Sequence, residues 1–449
     1  MPGRPLEAAA LLDALLACLR DPVTQYPGLH AARFDEARFT GEARFDDARF
    51  TGGVRFSGAQ FLGPAGFSRA RFSGAAFEGA QFSGDAAFSG AHFTGTAEFG
   101  GARFCGNAMF GETQFSDAAE FDGAQFCGAT WFRQTEFSRT AAFAEAEFSR
   151  SATFGRAVFR ERALFSGAQF SGVATFRGAQ FSGSAGFEAA HFSGTAEFDA
   201  ADFSRDAVFD EAQFAAAAAF AGARFSGTAG FTRARCVEAS WFGPLLCRRA
   251  VDLTGAVFEV PVTLEIAADE VFCVRTRWES TATVRLRHAT ADLSYAVLSA
   301  PVAVAAHPAP FTAGSAALDE TPLPGRAGVN VASVQGVDAA HLVLTDIDLS
   351  DCLFTGALHL DRLRREGRCT FAPPPAGRAP GGARPMRWTR RRTLAEKHHW
   401  RAQAAGQPAS ASAAPSAGLL SGYGLRASRA LAWLLAAMAV LAVRGRIKR

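Results

Sequence analysis

This 449-residue chain is poorest in the motifs that carry catalysis. It has no glycine-lysine phosphate loop, no H-E-x-x-H, and no G-x-S-x-G set on a strand-turn-helix. Its eight cysteines form no C-x-x-C and have no histidine at zinc spacing, which excludes the usual structural zinc sites. Lysine is nearly missing, since only Lys397 and Lys448 occur and arginine carries the remaining positive charge. With abundant Ala and Gly, that usage points to a high-GC bacterial genome. Glu7 and Asp13 interrupt the one early apolar stretch, so no secretory signal is legible and a reducing cytoplasmic face is expected. No catalytic residue, cofactor or metal is nominated, and the expected class is not an enzyme.

What the chain has instead is phenylalanine at a fixed beat. From Phe34, Phe39, Phe45 and Phe50 to Phe225 and Phe231 the steps run five, six, five, six, with one slip at Phe72 to Phe77. Two positions before each of these 37 Phe sits a small residue, Ala in 33 cases and otherwise Val54, Thr113, Thr130 or Thr135. A helix would spray such residues around its axis, because steps of five and six fall about 140–240° apart. One long strand is excluded by the Gly met every few residues. A coil that turns a corner every five or six residues fits. Phe and the Ala two before it share the inner side of a short extended segment, and the residue between them points out. Ser, Thr and Gly make the corners, with Gly expected to supply positive φ. Four sides of five, six, five and six give a coil of about 22 residues, stacked about 4.8 Å from the next.

The pattern resembles the pentapeptide-repeat family in its Phe-centred form. The resemblance implies an all-β fold, a right-handed quadrilateral β-helix, with Phe and the preceding Ala inward. The expected core includes Phe34, Phe39, Phe45, Phe50, Phe104, Phe126, Phe181 and Phe231. The beat outlasts the Phe run, through Cys236, Phe242, Cys247, Leu253, Phe258 and Leu264. The inward residues two before are Ala234, Ser240, Leu245, Val251, Ala256 and Val262. Adding 22 to Leu264 gives Leu286, and Ala291-Asp292-Leu293 is the plain five-residue form. After an excursion, the count resumes at Leu344, Leu349, Phe354 and Leu360, preceded by Leu342, Ile347, Cys352 and Leu358, and ends at Phe371.

Five regions follow. Residues 1–30 hold a capping helix, Pro5 to Arg20, that covers the first coil's Phe layer. Residues 31–235 are the regular β-helix, and 236–371 continue it with an excursion loop at 305–328. Residues 372–418 are a basic linker with a helix near 386–405, and 419–449 are a hydrophobic candidate anchor with a basic end. Net charge is −4 over 31–235, −5 over 236–375 and +13 from Ala376 on, so the basic character belongs to the tail.

That tail sets the expected location. Arg387, Trp388, Arg390, Arg391, Arg392 and Trp400 suit an anionic lipid surface. Leu431, Trp433, Leu434, Leu435, Val440 and Leu441 lie in the apolar segment, which runs for 14 residues between Arg429 and Arg444. A span needs about 20, so Leu419 onward must join it, with Arg426 and Arg429 snorkelling. A buried packing helix is the alternative. The stretch resembles high-GC bacterial pentapeptide-repeat proteins that end in a membrane domain, here shortened, which leaves an anchor rather than a channel. Three functions are thus open. They are a membrane-associated scaffold for protein partners, with the β-helix in the cytoplasm; a DNA mimic that occupies a topoisomerase, which a resemblance to the quinolone-resistance pentapeptide proteins implies; and a remnant of a channel-like membrane protein. Weak acidity argues against the DNA mimic, and nucleic acid is not expected as a partner. A purely cytoplasmic location is the alternative to the membrane. Outward Glu98, Glu120, Glu136 and Glu147 are read as a solvated face rather than a sugar-cleaving one. Cys105 and Cys127, 22 apart, should stack facing outward, close enough to pair though reading as corner substitutes for Ser.

Overall fold

The computed structural model describes residues 28–323 and 328–372. They form a parallel β-solenoid built of two-residue strands such as Gln81–Phe82 and Ala86–Ala87. Each strand pairs with the equivalent strand one coil on. Phe82 aligns with Phe104, Phe104 with Phe126, and Ala86 with Ala108. Four such faces close the coil, and each carries its own stack of Phe rings. Phe82, Phe104 and Phe126 lie 4.8 and 4.9 Å apart with planes 0° and 4° from parallel. Rings on opposite sides meet edge to face across the core, as Phe99 does with Phe110 at 5.4 Å and 87°. The rings therefore adopt the two packings that the aromatic quadrupole favours, offset-stacked along the axis and T-shaped across it. The small residue two before each Phe leaves room for these rings, and Ala119 and Phe121 are buried while Glu120 between them is exposed.

The irregular positions fit by identifiable means. The slip at Phe72 shortens one coil, so Phe56 stacks on Phe77 and Phe61 on Phe82 at 4.9 and 4.7 Å. Thr113 and Thr135 point inward, where their hydroxyls donate to the Phe88 and Phe110 carbonyls at 2.7 and 2.6 Å. Each buried oxygen thus has a partner.

The corners differ from the expectation that glycine supplies positive φ throughout. From Phe34 to Phe231 positive φ occurs at alternate corners, two residues after Phe34, Phe45, Phe56 and their successors. There the residue is as often Glu36, Asp47, Arg69 or Glu145 as glycine. At the other corners glycine answers to crowding. A Cβ on Gly128 would lie 2.2 Å from the Gly106 oxygen, and one on Gly183 2.3 Å from the Glu161 oxygen. The first kind of corner needs a left-handed residue with open space around it, and the second needs a missing side chain.

The solenoid changes character after Phe231. Trp241–Asp252 and Val262–Phe272 are long strands that run through a corner. Phe242 aligns with Leu264, Leu245 with Ile266 and Ala250 with Glu270, so two register shifts trim the coil from 22 residues to 20. Leu264 accordingly faces Val284, and Leu286 faces Ile266, which corrects the 22-residue spacing expected there. Smaller Leu, Val and Ala side chains need less perimeter than Phe. Ser240 is also corrected, being exposed while Ala239 is buried beside it. Leu264, Leu293, Leu349 and Phe371 are buried, but Leu358 is 57 % exposed because the last coil turns into short 3-10 segments. Phe34 and Phe39 are half-buried in the first coil. A strand at Gly28–Leu29 precedes them, paired with Arg49–Phe50.

The excursion leaves after Val302–Ala306 and the chain rejoins the coil at Asn330–Ser333. Between them a small hairpin packs Phe311 on Leu246 and Ala267, a satellite core with Leu318 and Leu323. The helices expected at Pro5–Arg20, 386–405 and 419–449 lie outside the described residues.

Candidate interaction surfaces

In-register coils turn every outward position into a ladder. One face presents Arg38, Gln60, Gln81, Arg103, Gln125 and Glu147 in succession. The next is nearly bare, with Gly66, Ala87, Met109, Trp131 and Thr153, of which Trp131 is 37 % exposed. The third stacks Arg49, Arg71, His92 and Gln114. The fourth runs Ala76, Glu98, Glu120, Ala142, Leu164 and Gly186. The rod thus offers two polar faces and two of mainly small or apolar residues, the fourth interrupted by Glu98 and Glu120.

Of the four singled-out carboxylates, only Glu98 and Glu120 come together, as neighbours on one ladder. Desolvation against the neighbouring coils, then the Glu98, Asp122 and Glu78 charges, holds the Glu120 carboxyl above the usual carboxylate range. Glu136 instead pairs with Arg160 at 2.7 Å, and Glu147 sits on the glutamine-rich face. Cys105 and Cys127 follow paired Phe on adjacent coils, and both are free thiols. The Arg103 guanidinium lies beside them, hydrogen-bonded to Cys127, and the thiol charges push its pKa up. Inside the rod, burial drives the Cys236 and Cys273 thiols up to about 12 and Cys247 to about 11.

Two groupings were not legible in the linear order. The first locks the excursion to the coil. Arg287 Nε donates to both Glu320 oxygens at 2.8 Å and Nη1 to the His307 carbonyl at 2.9 Å. His288 Nε2 meets the same carboxylate at 3.0 Å, while its Nδ1 is buried with no partner. Arg287 and Glu320 are 33 residues apart, and only the docked loop joins them. The second is a set of corner arginines around Gly227, described below. Among the described residues no cluster of His, Cys, Asp and Glu could hold a metal ion, and no helix is long and apolar enough to cross a membrane. Arg387, Trp388, Arg390, Arg391, Arg392, Trp400 and the anchor from Leu431 to Leu441 lie outside the described residues.

A family model described as pentapeptide repeats (9 copies) matches residues 30–60, 56–103, 77–125, 132–180, 143–191 and 165–208. Between residues 30 and 208 the chain carries pentapeptide repeats. No curated protein matches the chain significantly. The matched residues lie within the Phe-cored coils, and the solenoid continues beyond them through the Leu- and Val-cored coils to Phe371.

Proposed function

We propose that this pentapeptide-repeat solenoid is a non-enzymatic scaffold whose outward ladders engage protein partners, and that its C-terminal segment holds it at an anionic membrane surface. The observation that carries the scaffold reading is the unbroken buried ladder from Phe45 to Phe231. It makes a stiff rod whose outward residues repeat at fixed spacing, so a partner meets rows of side chains rather than a cleft. The tether rests on the +13 charge from Ala376 on, the tryptophans Trp388 and Trp400 among arginines, and the apolar run 430–443. Each such arginine adds about 1 kcal/mol near an anionic surface.

Sedimentation of the full chain with anionic and neutral vesicles at low salt tests the tether. Pelleting with anionic vesicles is expected, weakened when Arg387, Arg390, Arg391 and Arg392 become Gln. A chain that stays in the supernatant overturns it. Cross-linking of the intact chain tests the scaffold, with links expected on outward ladder positions. Links confined to 373–449 would overturn the rod as the display element.

A further inference from the structure

A pocket on the solenoid corner is built for an anion. Within the long strand Trp241–Asp252, Cys247 aligns with Ala268 and Ala250 with Glu270, so Arg248 and Arg249 together stand opposite Asp269 alone. That is a β-bulge, and it throws two adjacent arginines outward. Their corner row continues down the rod. Gly227 lies one coil below Arg249, and Arg205 one coil below Gly227, each two residues after an inward Cys247, Phe225 or Phe203. Arg205 and Arg249 therefore flank a coil with no side chain at their row, about 9.6 Å apart at about 4.8 Å per coil. Gly227 cannot be replaced cheaply, since a Cβ would lie 2.5 Å from the Arg205 carbonyl carbon. The gap is a cavity of about 410 Å³ lined also by Ser204, Ser226 and Asp206.

Its charge is unbalanced. Among the described residues no ion pair or side-chain hydrogen bond engages Arg205, Arg248 or Arg249, although Asp269 and Glu270 sit on the following coil. The one carboxylate lining the cavity, Asp206, accepts the Thr228 N–H at 2.8 Å. Three guanidiniums against one committed carboxylate leave two positive charges facing a floor of glycine and two serine hydroxyls. Guanidinium forks match the oxygens of a phosphate bidentately, and hydroxyls add donors. A second depression of about 140 Å³ shares Ser226 and Arg248 and is walled by Pro322 and Leu323 of the excursion, giving an apolar flank for an organic group. Arg224 in that depression faces Asp319 and is not free for the anion.

We propose that the Arg205–Gly227–Arg249 corner binds a phosphate-type oxyanion, a phosphorylated small molecule or a phosphomonoester headgroup. The test is calorimetric titration of the full chain with inorganic pyrophosphate, and sedimentation with vesicles containing phosphatidate. Saturable pyrophosphate binding is expected, about tenfold to a hundredfold weaker in Arg205→Gln/Arg249→Gln, as loss of charge-assisted hydrogen bonds dictates. The control Arg150→Gln/Arg162→Gln removes the same charge from coils that do not line the cavity and should bind like wild type. Pyrophosphate binding without any effect of Arg205 and Arg249 on vesicle pelleting assigns a soluble ligand. Vesicle pelleting that falls in Arg205→Gln/Arg249→Gln assigns a headgroup. No saturable binding in either arm, or equal loss in the control pair, overturns the site. All four arginines are exposed, so thermal melting should leave these variants folded like wild type.

Discussion

Removing one ring from the middle of the rod should cost more than removing one from its end, and the structure says by how much. Phe143 stacks on Phe121 and Phe165 at 4.8 and 4.9 Å, and meets Phe132 and Phe154 edge-on at 5.3 and 5.4 Å. Phe137 and Phe148 complete its surroundings at 6.0 and 6.4 Å. Phe143→Ala leaves a ring-sized void that no backbone movement can close without breaking coil register, so about 3–5 kcal/mol is expected. Phe39 has one stacked neighbour, Phe61 at 4.8 Å, and is half-buried. Phe39→Ala should cost about half as much, roughly 1.5–2.5 kcal/mol. Because each coil touches only its two neighbours, the lesion at Phe143 also weakens the rod locally. Hydrogen exchange read by mass spectrometry should show amides in coils 121–165 opening about a hundredfold to a few thousandfold faster, with distant coils little changed. Equal losses for the two variants, or less than about 1 kcal/mol for Phe143→Ala, would refute the stacked-ring core.

The two kinds of corner should respond differently to the same substitution. Gly183→Ala must displace the Glu161 backbone and should destabilise by several kcal/mol, whereas Gly123→Ala, with φ 63° and open space, should cost only about 1 kcal/mol; chemical denaturation separates them. Thiol labelling of the native chain near pH 8 should modify Cys105 and Cys127 and spare Cys236, Cys247 and Cys273, whose burial keeps them protonated. The folded pKa of those three thiols lies above the unfolded value of 9.0, so their contribution to stability is complete below about pH 9 and falls as pH rises towards 11–12, by roughly 1 kcal/mol per thiol at pH 10. A denaturation midpoint unchanged between pH 8 and 10 would contradict that burial. Glu320→Gln leaves Arg287 buried without its carboxylate, about 3–5 kcal/mol against docking of the excursion. Limited proteolysis near 307–323 should then accelerate while the Phe-cored coils keep their protection; equal cleavage in both proteins would sink the latch.

The regular half of the fold was open to linear reading because one residue type marked every turn. Phe at five and six, with Ala two before, is a covalent ruler for the coil, and Phe104 over Phe126 follows from arithmetic. The ruler failed where packing, not spacing, set the perimeter. Leu264 faces Val284 because two bulges shorten a coil whose core is now Leu and Val, and nothing in the spacing of apolar residues announces a bulge. The corners were half legible for a related reason. Ser-Gly reads as a turn wherever it occurs, yet whether its glycine answers to φ or to a neighbouring carbonyl depends on the coil beneath. The Arg287–Glu320 pair was invisible, since a Pro-rich excursion gives no hint of the surface it folds back upon.

These failures share a location. A strict repeat places equivalent residues at equivalent sites, so any pocket it makes on one coil it makes on all, and the result is a groove without selectivity. A discrete site needs the repeat to be broken. The break here falls between Phe225 and Ala268, where the core changes from Phe to smaller residues and the coil loses two residues. One of the two bulges that absorb the loss carries Arg248 and Arg249, and the excursion that docks through Glu320 lays Leu323 beside them. The same change of core size that shortens the coil thus creates a corner where glycine lies between two arginines two coils apart that form no ion pair, unlike Arg233 and Arg275 about Gly255, which engage Glu211 and the Tyr295 ring. If the solenoid recognises a small anion, physical economy puts the site at this seam rather than along the regular ladder, where Arg49 and Arg71 repeat in line but no bulge turns them towards a common point.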